Sequence, residues 1–123
     1  MNELHFKKTH KDAQLPAYRD DVSSIITFTT PEATYLRYGS IEKITIGVEL
    51  TISDGYELQL HPVSELAYKG VTIVNSPHTL TKGEVVVYLT SLGLEPVYIS
   101  RGETVVFGVV RPIIRLPINK PKE

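Results

Sequence analysis

The residues of this chain that carry chemistry are few, and their spacing limits what they can do. His5, His10, His61 and His78 are the four histidines, and no two of them stand at a metal-ligand spacing. The chain has no cysteine, which removes disulfides, thiolate zinc sites and a cysteine nucleophile. Asp20 and Asp21 form an adjacent carboxylate pair, but neighbours on a strand face opposite sides, so the pair reads as a solvated loop. No Ser-His-Asp arrangement and no glycine-rich phosphate loop is present. A smaller group remains. Ser64 and Glu65 follow Pro62 at the start of a helical stretch, where serine is a good N-cap and a carboxylate is favoured by the helix dipole. A serine there also suits an anion. Asn75 stands before Ser76-Pro77 and reads as a turn residue. His78 reads as an exposed loop histidine, and Lys82, before Gly83, as a solvated hairpin lysine.

The elements that must position these residues are mostly strands. Ile44, Ile46, Val48 and Leu50 alternate with polar residues and glycine, the pattern of a half-buried strand. Ser53-Asp54-Gly55 supplies a turn, and Tyr56, Leu58 and Leu60 alternate beyond it, which predicts a hairpin. Residues 23–30 are rich in β-branched side chains and predict another strand. Val71 to Val74 and Val97 to Ile99 predict short ones. Residues 84–90 and 103–110 are near-continuous apolar runs, as expected of strands covered on both faces. The stretch from Ser64 to Lys69, stopped by Gly70, predicts the single short helix. Many short strands with regular turns point to an all-β barrel or sandwich.

The 123 residues fit one domain, and 41% hydrophobic content provides for a core. With 13 basic and 14 acidic residues, the chain lacks the basic footprint that long nucleic acid requires. The polar N-terminus has no signal-peptide character, and no apolar run approaches a membrane span. The expectation is a soluble cytoplasmic protein with no membrane contact.

Several segments, taken in order, resemble the trimeric dUTPase family. FKKTHKDAQLPAY resembles that family's first strand and its Leu-Pro-x-Tyr. GYELQLHPVSELAYKGVTIVNSPHTL resembles its Gly-Tyr strand, its Arg-Ser-Gly-Leu-Ala segment and the strand into the uracil-binding hairpin. KGEVVVYL and LEPVYISRGETVVFGVVRPI resemble the later strands, with Arg101-Gly102-Glu103 at the family's Lys/Arg-Gly-Asp/Glu. The resemblance runs from about Leu4 to Pro112. It implies a dUTPase-like, jelly-roll-like β-barrel of short strands with one short helix, assembled as a homotrimer. Residues 1–112 would form the domain and residues 113–123 an extended Pro/Lys-rich arm. Phe107, at a polar family position near the threefold axis, would make the central channel drier.

The family's functional positions depart from the pattern. Thr27 stands at the first motif's aspartate. Val63 stands at the phosphate-binding arginine and Glu65 at the glycine, while Ser64 is retained. The hairpin from Asn75 to Gly83 is about three residues shorter and lacks the water-activating aspartate and the tyrosine. Gly102 and Glu103 match the fourth motif, but Thr104 and Phe107 replace its arginine and glutamine. The glycine-rich C-terminal lid has no counterpart. Phosphoanhydride hydrolysis needs a base, a positioned water and positive charge on the phosphates. These losses predict a protein that is not an enzyme and needs no cofactor. It would bind a nucleotide-type ligand or a protein partner without turnover, as a sponge or regulator. Ser64, Glu65, Asn75, His78 and Lys82 are the candidate ligand residues. A phage source, with the host cytoplasm as its location, fits such a protein. The alternatives are a divergent active hydrolase or deaminase, with Glu65, His78, Asp20 or Asp21 as new catalytic groups, and a structural trimeric scaffold.

Overall fold

The computed structural model of the chain describes residues 2–74 and 78–121. Alternating side chains give strands β1 (Leu4–Lys8), β2 (Ala17–Tyr18), β3 (Ile25–Thr29), β4 (Thr34–Leu36), β5 (Ile41–Ile52) and β6 (Tyr56–Pro62). The helix α1 (Ser64–Tyr68) follows, then β7 (Val71–Ile73), β8 (His78–Leu80), β9 (Lys82–Ser91), β10 (Val97–Ile99) and β11 (Thr104–Pro112). They form a four-stranded sheet, β1-β5-β9-β7, a five-stranded sheet, β2-β3-β11-β6-β8, and a separate pair of β4 with β10. The all-β expectation with one short helix holds among the described residues.

The two larger sheets share one core. From β5, Ile44, Ile46, Val48 and Leu50 are buried; from the five-stranded sheet, Ile26, Phe28, Leu58 and Leu60 meet them. Phe6 on β1 packs edge-on against Phe28 on β3, with centroids 5.6 Å apart, and so ties one sheet to the other. Gly108 on β11 lies in register between Ile26 and Leu60. A Cβ there would come within 2.8 Å of Leu58 Cδ1 and 2.9 Å of Phe28 Cε2. Gly108→Ala is therefore expected to overpack the core and cost about 1–3 kcal/mol. A lower urea midpoint at unchanged slope would report that loss.

Three local expectations change. The turn at Ser53–Gly55 forms, with the Tyr56 N–H donating to the Ser53 carbonyl at 3.3 Å, but β5 and β6 are not a hairpin pair. β5 pairs with β1 and β9, and β6 with β11 and β8. The turn carries the chain from one sheet to the other, so each strand buries one face against the shared core. The apolar run on β9 is covered on one face only: Val85, Val87 and Leu89 are buried while Glu84 and Tyr88 are exposed. On β11 the outer residues Phe107 and Val109 are half-buried.

Helix α1 ends before Gly70, whose φ of 86° is a left-handed stop. Its N-cap is Val63, with no side-chain cap bond, in place of the expected Ser64. The reason lies in packing. Val63 is 8% exposed, and its N–H donates to the Val105 carbonyl at 3.2 Å. Its own carbonyl accepts from the N–H groups of Leu66 and Ala67. Strand β11 thus fixes where the helix begins, one residue before the serine. At the other end of the chain, the Ile113 N–H donates to the Gly55 carbonyl at 2.8 Å, and residues 114–121 are exposed without strand structure. Among the described residues, no helix is long and apolar enough to cross a membrane.

Candidate functional site

Three stretches far apart in sequence meet on the outer face of the five-stranded sheet, beside α1. Strand β3 brings Ile25 and Thr27. The helix and its flanks bring Val63, Ser64, Glu65 and Lys69. The turn before β11 brings Glu103, and β11 itself Thr104 and Phe107. With Arg19 they line a cavity of about 600 Å³, within the usual range for small-molecule sites.

Strand register explains the arrangement. Phe107 lies between Thr27 on β3 and His61 on β6. Its ring stacks on His61, with centroids 5.1 Å apart and planes 21° from parallel. His61 Nε2 is 3.0 Å from Gln59 Oε1, which steadies the imidazole against the ring. The phenyl ring forms an apolar wall. Opposite in character are two exposed groups on α1, Ser64 and Glu65. The half-buried Glu103 accepts the Ser100 N–H through Oε1 at 3.2 Å, which orients its carboxylate at the turn before β11. One cavity therefore holds two carboxylates, two cations and the hydroxyls of Ser64, Thr27 and Thr104.

Such a donor set fits magnesium that arrives with a phosphate ligand. Magnesium takes one or two protein carboxylates and completes its shell with substrate oxygens and water. Glu103, a carboxylate of the lining, meets that demand. Among the described residues there is no group of three or more His, Cys, Asp or Glu side chains able to hold an ion unaided.

The other sequence candidates lie elsewhere. Asp20 Oδ1 accepts the backbone N–H groups of Val22 at 3.0 Å and Ser23 at 2.6 Å. Those bonds, the Val22 one first, hold its pKa below the ordinary 3.8. A carboxylate engaged in this way organises a turn. A depressed folded-state pKa adds stability above the unfolded value, and the gain is lost as pH falls through the folded value. NMR titration of Asp20 is expected to show a midpoint below 3.8, and Asp20→Asn to remove this part of the acid-side destabilisation. Asp21 joins Asp20 in a more open depression of about 890 Å³, formed by residues 18–24 and Val110. Apart from Val110 it draws on one loop.

His78 is half-buried on β8, opposite Leu60, where a loop position was expected. Lys82 is exposed on β9, opposite Thr51. Neither lines the cavity beside α1. Asn75 lies outside the described residues. The structure thus brings Ser64 and Glu65 together and leaves His78 and Lys82 apart from them. Sequence reasoning missed Arg19 and Lys69. The signal for Lys69 was present: it follows Glu65 by four residues, on the same side of a helix. Arg19 had no comparable local signal.

No family model matches the chain. Individual relatives do. A deoxyuridine 5'-triphosphate nucleotidohydrolase of Hydrogenobaculum sp. (strain Y04AAS1) is 32% identical over 126 residues, covering 98% of this chain and 88% of that protein. The enzyme of the same name from Aquifex aeolicus is 37% identical over 114 residues, covering 88% and 76%. Among solved structures, the dUTPase of phage phi11 of S. aureus superposes with a TM-score of 0.86 at 14% identity, covering 99% of this chain and 98% of that one. The Staphylococcus bacteriophage 80alpha dUTPase does so with a TM-score of 0.87 at 17% identity, covering 100% and 98%. The structural matches bear out the dUTPase fold. The sequence relatives overturn the expectation that the chain is not an enzyme, because proteins alike over most of its length carry an enzyme's name.

Proposed function

The chain belongs to the deoxyuridine 5'-triphosphate nucleotidohydrolase family, and from that premise we propose that it hydrolyses a deoxyuridine nucleotide at the cavity beside α1. The observation that carries this reading is the meeting there of Thr27, the Val63–Glu65 segment and the Glu103–Phe107 segment. These are the stretches that stand at the positions of the family's first, second and fourth motifs.

The chemistry is addition of water to phosphorus with cleavage of a phosphoanhydride bond, giving the nucleoside monophosphate and pyrophosphate. Of the four carboxylate and imidazole candidates for a new catalytic group, Glu65 alone lines this cavity. It takes the proton of the attacking water. Ser64 and Thr104 donate hydroxyl hydrogen bonds to phosphate oxygens, and Glu103 would hold the magnesium that accompanies them. The metal, when bound, draws charge from the phosphate oxygens and from the leaving pyrophosphate. The 80alpha dUTPase has been solved with dUpNHpp, which supports this ligand class.

Three copies complete the site. Ile25, Phe107 and Val109 form a half-buried apolar stripe on the outer face of the five-stranded sheet, suited to burial between subunits. The β8–β9 segment that bears His78 and Lys82 then serves the base of a nucleotide bound at a neighbour's cavity. Sedimentation at the mass of a monomer would remove this part of the reading. The reaction itself is tested by product identification: dUTP with magnesium should yield dUMP and pyrophosphate in equal amounts, and intact dUTP would refute it.

A further inference from the structure

We infer that the phosphate chain of the nucleotide is held by Arg19 and Lys69, two cations that enter the cavity from positions outside the family's motif arginines. The inference rests on the hydrolase reading above and adds the groups that recognise the phosphates.

The need is electrostatic. A triphosphate requires positive charge at its oxygens both to bind and to react. The two matched arginine positions supply none. Val63 lines the cavity with an uncharged side chain that is 8% exposed. Thr104 offers a neutral hydroxyl. The remaining cations in the lining are Arg19 and Lys69.

Their surroundings leave both available. Lys69, at the C-cap of α1, follows Glu65 by four residues, in the order that favours an ion pair on a helix. No such pair forms, and Lys69 makes no ion pair among the described residues. Arg19 is anchored at its base by its N–H to the Ile25 carbonyl, at 2.8 Å. Its ion pair with Asp20 uses Nε at 3.8 Å, and its terminal nitrogens make no ion pair among the described residues. Formally, Arg19 and Lys69 balance Glu65 and Glu103, so the bare cavity is neutral. A magnesium-bound phosphate chain offers both signs of charge: the metal for Glu103 and the oxygens for the cations.

The test is calorimetric binding of dUpNHpp, with deoxyuridine as the phosphate-free probe, in magnesium buffer. Arg19→Ala and Lys69→Ala are each expected to weaken dUpNHpp binding about tenfold, and the double variant about 100-fold. Deoxyuridine affinity should stay within twofold. Arg19→Lys should recover part of the loss, since the charge returns without the planar fork. Both side chains are exposed, so unchanged thermal midpoints would certify the fold. If the double variant binds dUpNHpp as tightly as the parent, the inference is overturned and the hydrolase reading stands. If the parent binds neither probe, both fall together.

Discussion

Replacing Glu65 with glutamine is expected to slow dUTP cleavage by about 100- to 10,000-fold, the usual contribution of a positioned acid or base. Glutamine keeps the length and shape of the side chain and removes only its charge and basicity. Glu65 is exposed on a helix that spans Ser64–Tyr68, so stability should move by no more than about 0.5 kcal/mol. The readout is the split between turnover and binding. A base contributes to kcat, and dUpNHpp affinity should change little. The opposite pattern, tighter binding with undiminished turnover, would mean that the carboxylate merely occupies the space that glycine leaves open in the family's pattern. Glu65→Gly separates the cases further. It restores that glycine at a helix cost of about 1 kcal/mol, and the present reading requires it to lose turnover as well.

Phe28→Ala is expected to cost about 3–5 kcal/mol, a large share of the roughly 5–15 kcal/mol available to a domain. Phe28 is fully buried. It is the ring that Phe6 meets edge-on across the two sheets, at an interplanar angle of 85°. It also occupies the space that Gly108 leaves open on the adjacent strand. Its removal leaves a cavity that neither sheet can close, because the strands on both sides are held by ladder bonds. Urea denaturation should show the midpoint falling. Because Thr27 precedes Phe28 on β3 and faces the ligand cavity, nucleotide affinity should weaken along with stability. Phe28→Leu, which keeps most of the volume, should show a smaller loss in both.

Much of the fold was legible in the sequence because a strand records its burial residue by residue. The alternation from Ile44 to Leu50 appears as β5, and the Ser64–Lys69 stretch as α1 with its stop at Gly70. Pairing was less legible. Ser53–Gly55 announces a reversal, but local residues do not say which strand lies alongside. β5 finds its partner in β9, beyond β6 and α1, through contacts distant in sequence. The helix start was displaced for a similar reason: the Val63 N–H bonds to Val105 on β11, which outweighs the local preference for serine as the cap.

The candidate site was half legible. Ser64 and Glu65 were found because they lie within a segment that matches a family motif. Arg19 and Lys69 were missed because positive charge was sought only where the motif arginines stand. The expectation of an inactive protein came from the same assumption. It treated Val63, Thr104 and Phe107 as losses without asking which other side chains the fold delivers to the same cavity. Register answers that question. Phe107 faces the cavity because it is paired with Thr27 and His61, and Arg19 faces it because its N–H bonds to Ile25 on the same sheet.

The most direct test of the central claim is a single-turnover experiment with protein in excess over dUTP, quenched over time in the presence of magnesium. The account predicts dUMP and pyrophosphate in equal amounts, arrest on addition of EDTA, and a rate at least about 100-fold above that of Glu65→Gln. Intact dUTP after hours with excess folded protein, or cleavage at the same rate in the Glu65→Gln variant, would contradict it.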